Sequence, residues 1–164
     1  MARRDTAFLR KVTVSLPFGL GSAEWETDVT QRRAAWSLYV ELVTRVAIQP
    51  LQNDQGLLRE TLISLYSIFE TTRVILKEAG PDVGASRSSL GGIAITVLNS
   101  GIRPFLTKWH PKLQAWEVQK PEGLSLKEHE SNWTEKHTLY TELNNLRQDL
   151  DQYAKALAII AGVD

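Results

Sequence analysis

Residues 139–157 read LYTELNNLRQDLDQYAKAL, and this stretch decides the fold class of the chain. Its apolar side chains recur at alternating intervals of four and three residues, the spacing that places them on one face of an α-helix. Charged and amide side chains occupy the intervening positions, so the opposite face suits water. The pattern predicts one long helix over residues 128–161 with the following inner face: Trp133, Leu139, Leu143, Leu146, Leu150, Tyr153 and Leu157.

A first helix is predicted upstream over residues 29–49. Thr27, Asp28 and Thr30 offer side chains that could cap its start, and Pro50 stops it. The spacing of its apolar residues predicts an inner face made of Trp36, Tyr39, Val40, Val43, Val46 and Ala47.

A second and a third helix are predicted in the middle of the chain. The second begins near Asn53 or Asp54 and ends at residue 79, before a Gly-Pro stop signal. Its predicted core stripe is Leu58, Leu62, Leu65, Phe69 and Leu76. The third covers residues 89–109. Pro104 should kink or split it because proline lacks an N–H, and Pro111 should end it or open a further turn through Trp116.

The N-terminal region has a different pattern. Residues 11–16 alternate between polar and apolar side chains, a Pro- and Gly-containing turn follows, and residues 22–26 could return as a partner strand. We therefore expect residues 1–28 to form a basic segment with a short β-hairpin or extended arm. Residues 29–164 are expected to form an all-α domain, an antiparallel four-helix bundle.

Composition narrows the function classes. The 164 residues suffice for one domain, and 19 basic side chains balance 19 acidic ones, so any nucleic-acid or phosphate site must be local. The chain has no cysteine, which excludes disulfides, thiolate catalysis and cysteine-ligated metals. It lacks a signal-peptide pattern and a run of about 20 apolar residues. We expect a cytoplasmic protein without a membrane span and without a metal or other cofactor.

The segment NSGIRPFLTKWHP, residues 99–111, carries the candidate chemistry. Arg103 and His110 are seven residues apart, nearly two helical turns, so an unbroken helix would place both on one face. Asn99 lies one turn before Arg103 on that face. Arginine matches phosphate geometry, and histidine titrates nearest neutral pH, so the pair suits chemistry at a phosphodiester. A structural role is equally open, in which Arg103 closes a network between helices, His110 caps a helix end and Trp109 packs in the core.

Other charged side chains are expected to pair within the bundle. Glu41 and Arg45 have the favourable i,i+4 order for an ion pair along their own helix, and Glu70 and Arg73 are three residues apart. An acid that instead crossed the bundle to Arg103 would hold its guanidinium in place. His129 and His137 are expected to be solvated residues of the last helix. No Walker motif or zinc-protease motif is present.

The segment from Arg103 to His110 resembles the arginine-x(4–6)-histidine signature of the HEPN superfamily, which consists of four-helix bundles with this motif on a late helix. The resemblance covers the motif and the helix count over residues 29–162. HEPN proteins include metal-independent endoribonucleases of bacterial defence systems and accessory proteins with degenerate motifs. The family often has a polar residue directly after the arginine, where this chain has Pro104.

The resemblance implies Arg103 and His110 as catalytic residues of an RNA-directed protein, either active or degenerate. Asn99, Lys108 and Trp109 are the supporting candidates, with Lys108, Trp109 and Trp116 available to steer or stack single-stranded RNA. It also implies a homodimer or larger assembly and allows a partner effector protein. The alternative is a non-catalytic helical interaction module, whose buried polar residues specify assembly and whose segment 16–25 docks a partner.

Overall fold

A computed structural model describes residues 10–45, 47–48, 56–84 and 89–163. The described chain is mostly helical, which confirms the predicted helical class. Two strands come first, β1 (Arg10–Ser15) and β2 (Ser22–Thr27). The α-helices follow in this order: α1 (Val29–Val43), α2 (Leu58–Ala79), α3 (Leu90–Thr96), α4 (Arg103–Glu117), α5 (Leu126–Ser131) and α6 (Lys136–Ala161).

The N-terminal strands belong to a small antiparallel sheet that is part of the core. The register pairs Arg10 with Thr27 at one end and Ser15 with Ser22 at the other. Val12 and Val14 are buried in the same apolar cluster as the helices, and β1 packs on α6. The prediction of a short β-hairpin or extended arm was wrong, because the strands belong to a sheet, and alternation along β1 gives that sheet an apolar face that packs on the helices.

Helix α1 is shorter than predicted and buries a different face. The carboxylate of Asp28 caps it by accepting from the N–H of Gln31 at 2.8 Å, and the helix ends at Val43 rather than at residue 49. The buried residues are Ala34, Ala35, Leu38 and Leu42, whereas Trp36 remains 48% exposed. The predicted inner face was therefore wrong at Trp36, whereas Tyr39 and Val43 are partly buried against the core and Ala47 is buried. This helix has apolar residues on several sides, and small alanines let it approach α6 and α2 closely. Val46 lies outside the described residues.

Helix α2 carries the predicted core stripe. Leu58, Leu62, Leu65 and Phe69 are buried, and Leu76 is partly buried against the core. The described helix begins at Leu58 and ends before Gly80, whose positive φ of 77° suits glycine. Residues 53–55, where the predicted start lay, are outside the described part of the chain.

The third predicted helix continues well beyond residue 109. Helices α3 and α4 join through a π-helical turn, Val97–Ile102, in which the N–H of Arg103 donates to the carbonyl of Leu98 five residues earlier. Pro104 follows this turn directly, so the wider turn accommodates its missing N–H without splitting the helix. Pro111 lies inside α4, which runs to Glu117. Of the two alternatives predicted for Pro111, a helix end was wrong, and a continuation through Trp116 is observed, because later hydrogen bonds extend α4 past this proline.

The last predicted helix is divided into α5 and α6. Ser125 and Glu128 form a capping box that starts α5, and the chain turns over residues 132–135 before α6 begins. The inner face predicted for the last helix is buried as expected: the predicted residues from Leu139 to Leu157 lie on α6, and Trp133 lies in the turn before it. Within the described ranges, none of the helices combines the length and apolar character needed to cross a bilayer.

Candidate functional site

Arg103 and His110 line one open groove between α2 and α4. Its volume is about 490 Å³, and both side chains are exposed to solvent. They share the same wall because the helix is regular between them, the π-helical turn lying entirely before Arg103. The groove is lined by Tyr66, Phe69, Arg73, Arg103, Leu106, Thr107 and His110.

Two contacts orient the guanidinium of Arg103. Its Nε donates to Oδ1 of Asn99 at 3.2 Å, and its central carbon lies 4.9 Å from the ring centroid of Phe69. The Asn99 bond occupies Nε, so both Nη groups remain available to an anion. Among the described residues no acid pairs with Arg103, and the amide of Asn99 takes the place expected for a carboxylate.

The imidazole of His110 contacts a second arginine, Arg59 of α2. Nη1 of Arg59 lies 3.2 Å from Nε2 and 3.4 Å from Nδ1 of His110. Arg59 is held there by Glu117, whose Oε1 accepts from it at 2.7 Å. Because a guanidinium only donates, a hydrogen bond between these two side chains runs from Arg59 to a lone pair of the imidazole.

Helix α2 contributes groove residues that the sequence analysis did not assign to a site. Phe69 forms the floor and is 5% exposed, while Tyr66 is 71% exposed beside it, with ring centroids 6.2 Å apart. The guanidinium carbon of Arg73 lies 5.9 Å from the same Phe69 ring. The i,i+4 spacing of Phe69 and Arg73 indicates from sequence that the two side chains are neighbours on α2. Only the packing of α2 on α4 brings them next to Arg103 and His110.

Lys108 and Trp109 point away from the groove. Trp109 is completely buried, its indole N–H donates to Glu142 of α6, and Lys108 forms an ion pair with the same carboxylate. The hydrogen bond from Lys108 is the main cause that lowers the pKa of Glu142. Neither residue lines the groove: both lie on the α6-facing side of α4, and Trp109 has no exposed surface on which a base could stack.

The C-terminal end of α4 joins α5 through Trp116 and His129. Their rings stack at 4.2 Å with an interplanar angle of 3°. The indole N–H of Trp116 donates to the carbonyl of His129 at 2.9 Å, and Nε2 of His129 donates to the carbonyl of Trp116 at 2.7 Å. The prediction that His129 is solvated was wrong, since its side chain closes this buried junction; His137 is exposed as expected.

The predicted pair of Glu41 and Arg45 is confirmed at 2.7 Å, and Arg45 also donates to Ser67 and Thr71 of α2. In the described parts of the chain, no three His, Asp or Glu side chains cluster in a way that could hold a metal ion.

No family model, curated protein or solved structure matches this chain. The chemistry of the α2–α4 groove must therefore be argued from its own residues.

Proposed function

We propose that this protein is a HEPN-like, RNA-directed protein that cleaves single-stranded RNA without a metal ion. In this proposal the four long helical segments, α1, α2, α3–α4 and α6, form an antiparallel bundle of the HEPN kind. The observation that carries the proposal is the presence of Arg103 and His110, seven residues apart, in one open groove. Both side chains are exposed, so a ligand in the groove can reach them.

The proposed reaction is an attack of the ribose 2′-hydroxyl on the adjacent phosphorus. A new bond forms between the 2′-oxygen and phosphorus, the bond to the 5′-oxygen breaks, and a cyclic phosphate and a free 5′-hydroxyl result. His110 accepts the proton of the 2′-hydroxyl and returns a proton to the leaving 5′-oxygen. Arg103 stabilises the additional negative charge on the pentacoordinate phosphorus.

The neighbouring residues support these roles. Asn99 orients Arg103 through its Nε, and Arg59 places a second guanidinium beside the imidazole of His110. Among the described residues, the groove is lined by two arginines, Arg73 and Arg103, and by no acid, so its walls attract a phosphodiester although the whole chain has no net charge.

We further propose that the protein acts in the cytoplasm in bacterial antiphage defence, as a homodimer or larger assembly, with single-stranded RNA and an effector protein as partners. An assembly would let two grooves act on one RNA strand. Light scattering of the purified protein measures the assembly, and a monomeric mass at all concentrations contradicts this part of the proposal.

The decisive experiment uses an end-labelled single-stranded oligonucleotide that contains one ribose among deoxyriboses, in excess chelator. We expect cleavage only after the ribose, because the reaction needs its 2′-hydroxyl. Arg103→Ala and His110→Ala should each reduce the rate by on the order of 10²-fold or more.

Two matched variants control for general effects of removing a surface cation or imidazole. Arg33→Ala removes an exposed arginine of α1, and His137→Ala removes an exposed histidine of α6, neither of which lines the groove. Both should cleave at the wild-type rate. Equal rates for all variants, or equal cleavage of an all-deoxyribose strand, would contradict the proposal.

A second candidate function, a non-catalytic interaction module, is favoured by a different surface. A groove of about 720 Å³ between α1 and α6 is bordered by Trp36 and Ile159, which are 48% and 36% exposed. Exposed apolar side chains in a groove suit a protein partner. If no RNA is cleaved and Trp36→Ala abolishes self-association in light scattering, the interaction module replaces the ribonuclease as the better proposal.

A further inference from the structure

The ring of Tyr66 is a large aromatic surface that the proposed cleavage chemistry does not use. It is 71% exposed, and it lies beside the floor of the groove with an angle of 34° to the ring of Phe69. An exposed aromatic ring at the edge of a cationic groove is the arrangement on which the bases of single-stranded nucleic acids stack.

Arg73 supplies a second cation next to Arg103. Their guanidinium carbons lie 5.9 Å and 4.9 Å from the centroid of the same ring, that of Phe69. Neither arginine forms an ion pair with an acid in the described part of the chain. Two neighbouring cations without a carboxylate repel one another, and an anion bound between them relieves the repulsion.

Two of the three acids of α2 lie on its other side. Glu70 and Glu78 line a separate groove between α1 and α2, together with Glu41. In the α2–α4 groove the titratable lining residues are Arg73, Arg103, His110 and the phenol of Tyr66. Helix α2 therefore lies between two grooves of different charge: within the described part of the chain, the one cation that lines the α1–α2 groove, Arg45, is paired with Glu41, whereas no acid lines the α2–α4 groove.

We infer that Tyr66 and Arg73 form the nucleotide platform of this groove: a base stacks on Tyr66, and the phosphate attached to its sugar binds Arg73 beside Arg103. The inference rests on the proposed function for its ligand, single-stranded RNA, and adds two residues from outside the motif. A simple anion would bind only the two arginines, and an apolar ligand would contact only the aromatic rings. A nucleotide binds both, because it has a phosphate and a base.

The test measures binding without cleavage, by isothermal titration calorimetry. The probes are a single-stranded deoxythymidine hexamer, which lacks the 2′-hydroxyl, and an abasic hexamer with the same phosphates. Tyr66→Ala should weaken binding of the thymidine hexamer by about tenfold, which corresponds to about 1.4 kcal/mol, and leave the abasic hexamer unaffected. Tyr66→Phe should keep wild-type binding because the ring face remains. Arg73→Ala should weaken the binding of both hexamers to the same extent, because both carry the same phosphates.

Ile63→Ala is the matched control, since Ile63 is an exposed apolar residue of the same helix, 56% exposed, that does not line the groove. It should change neither affinity. The platform is overturned if Tyr66→Ala has no effect, or affects both probes equally. If the wild-type protein cleaves RNA and Tyr66→Ala binds both hexamers as tightly as wild type, the ribonuclease proposal is supported and the platform is contradicted. If the variants change hexamer binding as expected but the wild-type protein does not cleave RNA, the platform is supported and the ribonuclease proposal is contradicted.

Discussion

The ring of Phe18 lies directly against Gly101, so that a Cβ added at position 101 would be 2.2 Å from the tip of the ring. Phe18 belongs to the turn between β1 and β2, and Gly101 belongs to the π-helical turn before Arg103. Phe18 has a positive φ of 56°, uncommon for a residue with a side chain, and its N–H donates to Asp149 of α6 at 3.2 Å. The N-terminal sheet therefore packs on the segment that leads into the motif.

We expect Gly101→Ala to destabilise the protein by about 1–3 kcal/mol, because the new methyl group overlaps the Phe18 ring. Urea unfolding measures the change. The double variant Phe18→Ala with Gly101→Ala should be less destabilised than the sum of the two single variants, because the smaller side chain vacates the space. Strict additivity of the two substitutions would show that this contact is not the cause.

Arg103→Lys should not restore the activity lost in Arg103→Ala. Lysine keeps the charge, but it has no Nε to donate to Asn99 and no planar fork for two phosphate oxygens. We expect a cleavage rate on the order of 10²-fold below wild type for both variants. Thermal unfolding should show little change in either, because Arg103 is exposed. A lysine variant with wild-type kcat would show that only the charge matters.

Trp109→Ala should reduce stability by about 3–5 kcal/mol, because it empties the space of a fully buried ring that packs edge-on against Trp133. It should also leave Glu142 without one of its two donors. Trp109→Phe retains most of the volume and should cost less. Guanidinium unfolding followed by circular dichroism measures both variants, and a stable Trp109→Ala protein without activity would instead indicate a direct role in the site.

The buried carboxyl of Glu130 should make stability depend on pH. Burial raises its pKa above the ordinary value of 4.5, although its Oε2 accepts from the N–H of Leu58 at 3.0 Å. Between the ordinary and the raised pKa, the folded state holds a proton that the unfolded state has released. Stability from this group is therefore fully present below about pH 4.5 and is lost as pH rises through the raised pKa.

Glu130→Gln should remove this dependence, because the amide does not ionise and its oxygen can still accept from Leu58. We expect the difference in unfolding free energy between the variant and wild type to change in favour of the variant as the pH rises from about 4.5 towards neutrality. Glu122→Gln, an exposed acid, provides the control and should follow the wild-type curve. Parallel curves for wild type and Glu130→Gln would contradict the prediction.

His129→Phe should cost about 1 kcal/mol, because it keeps the stacked ring but loses the hydrogen bond to the carbonyl of Trp116. His129→Ala should cost more, since it also removes the stack. Urea unfolding distinguishes them. Equal losses for the two variants would mean that the hydrogen bond, rather than ring packing, joins α4 to α5.

Local patterns predicted the helices best where one apolar stripe dominated. The stripe of α6, from Leu139 to Leu157, and the first part of the α2 stripe are buried as predicted. The same argument did not identify the buried face of α1, because this helix has two apolar faces. Leu38 rather than Trp36 packs inward. The sequence also left open whether Pro111 ends a helix. A proline removes one backbone hydrogen bond, but the helix continues because its other hydrogen bonds and its packing remain.

The sequence by itself determined that the chain is largely helical and that Arg103 and His110 are two turns apart, because both properties follow from spacing along one helix. Only the tertiary structure decided which residues surround that pair. Tyr66 and Arg73 join the groove, and Lys108 and Trp109 leave it, because the neighbours of a helix depend on which of its faces packs on α2 and which on α6. That choice is made by the fit of several helices at once, which no local spacing records.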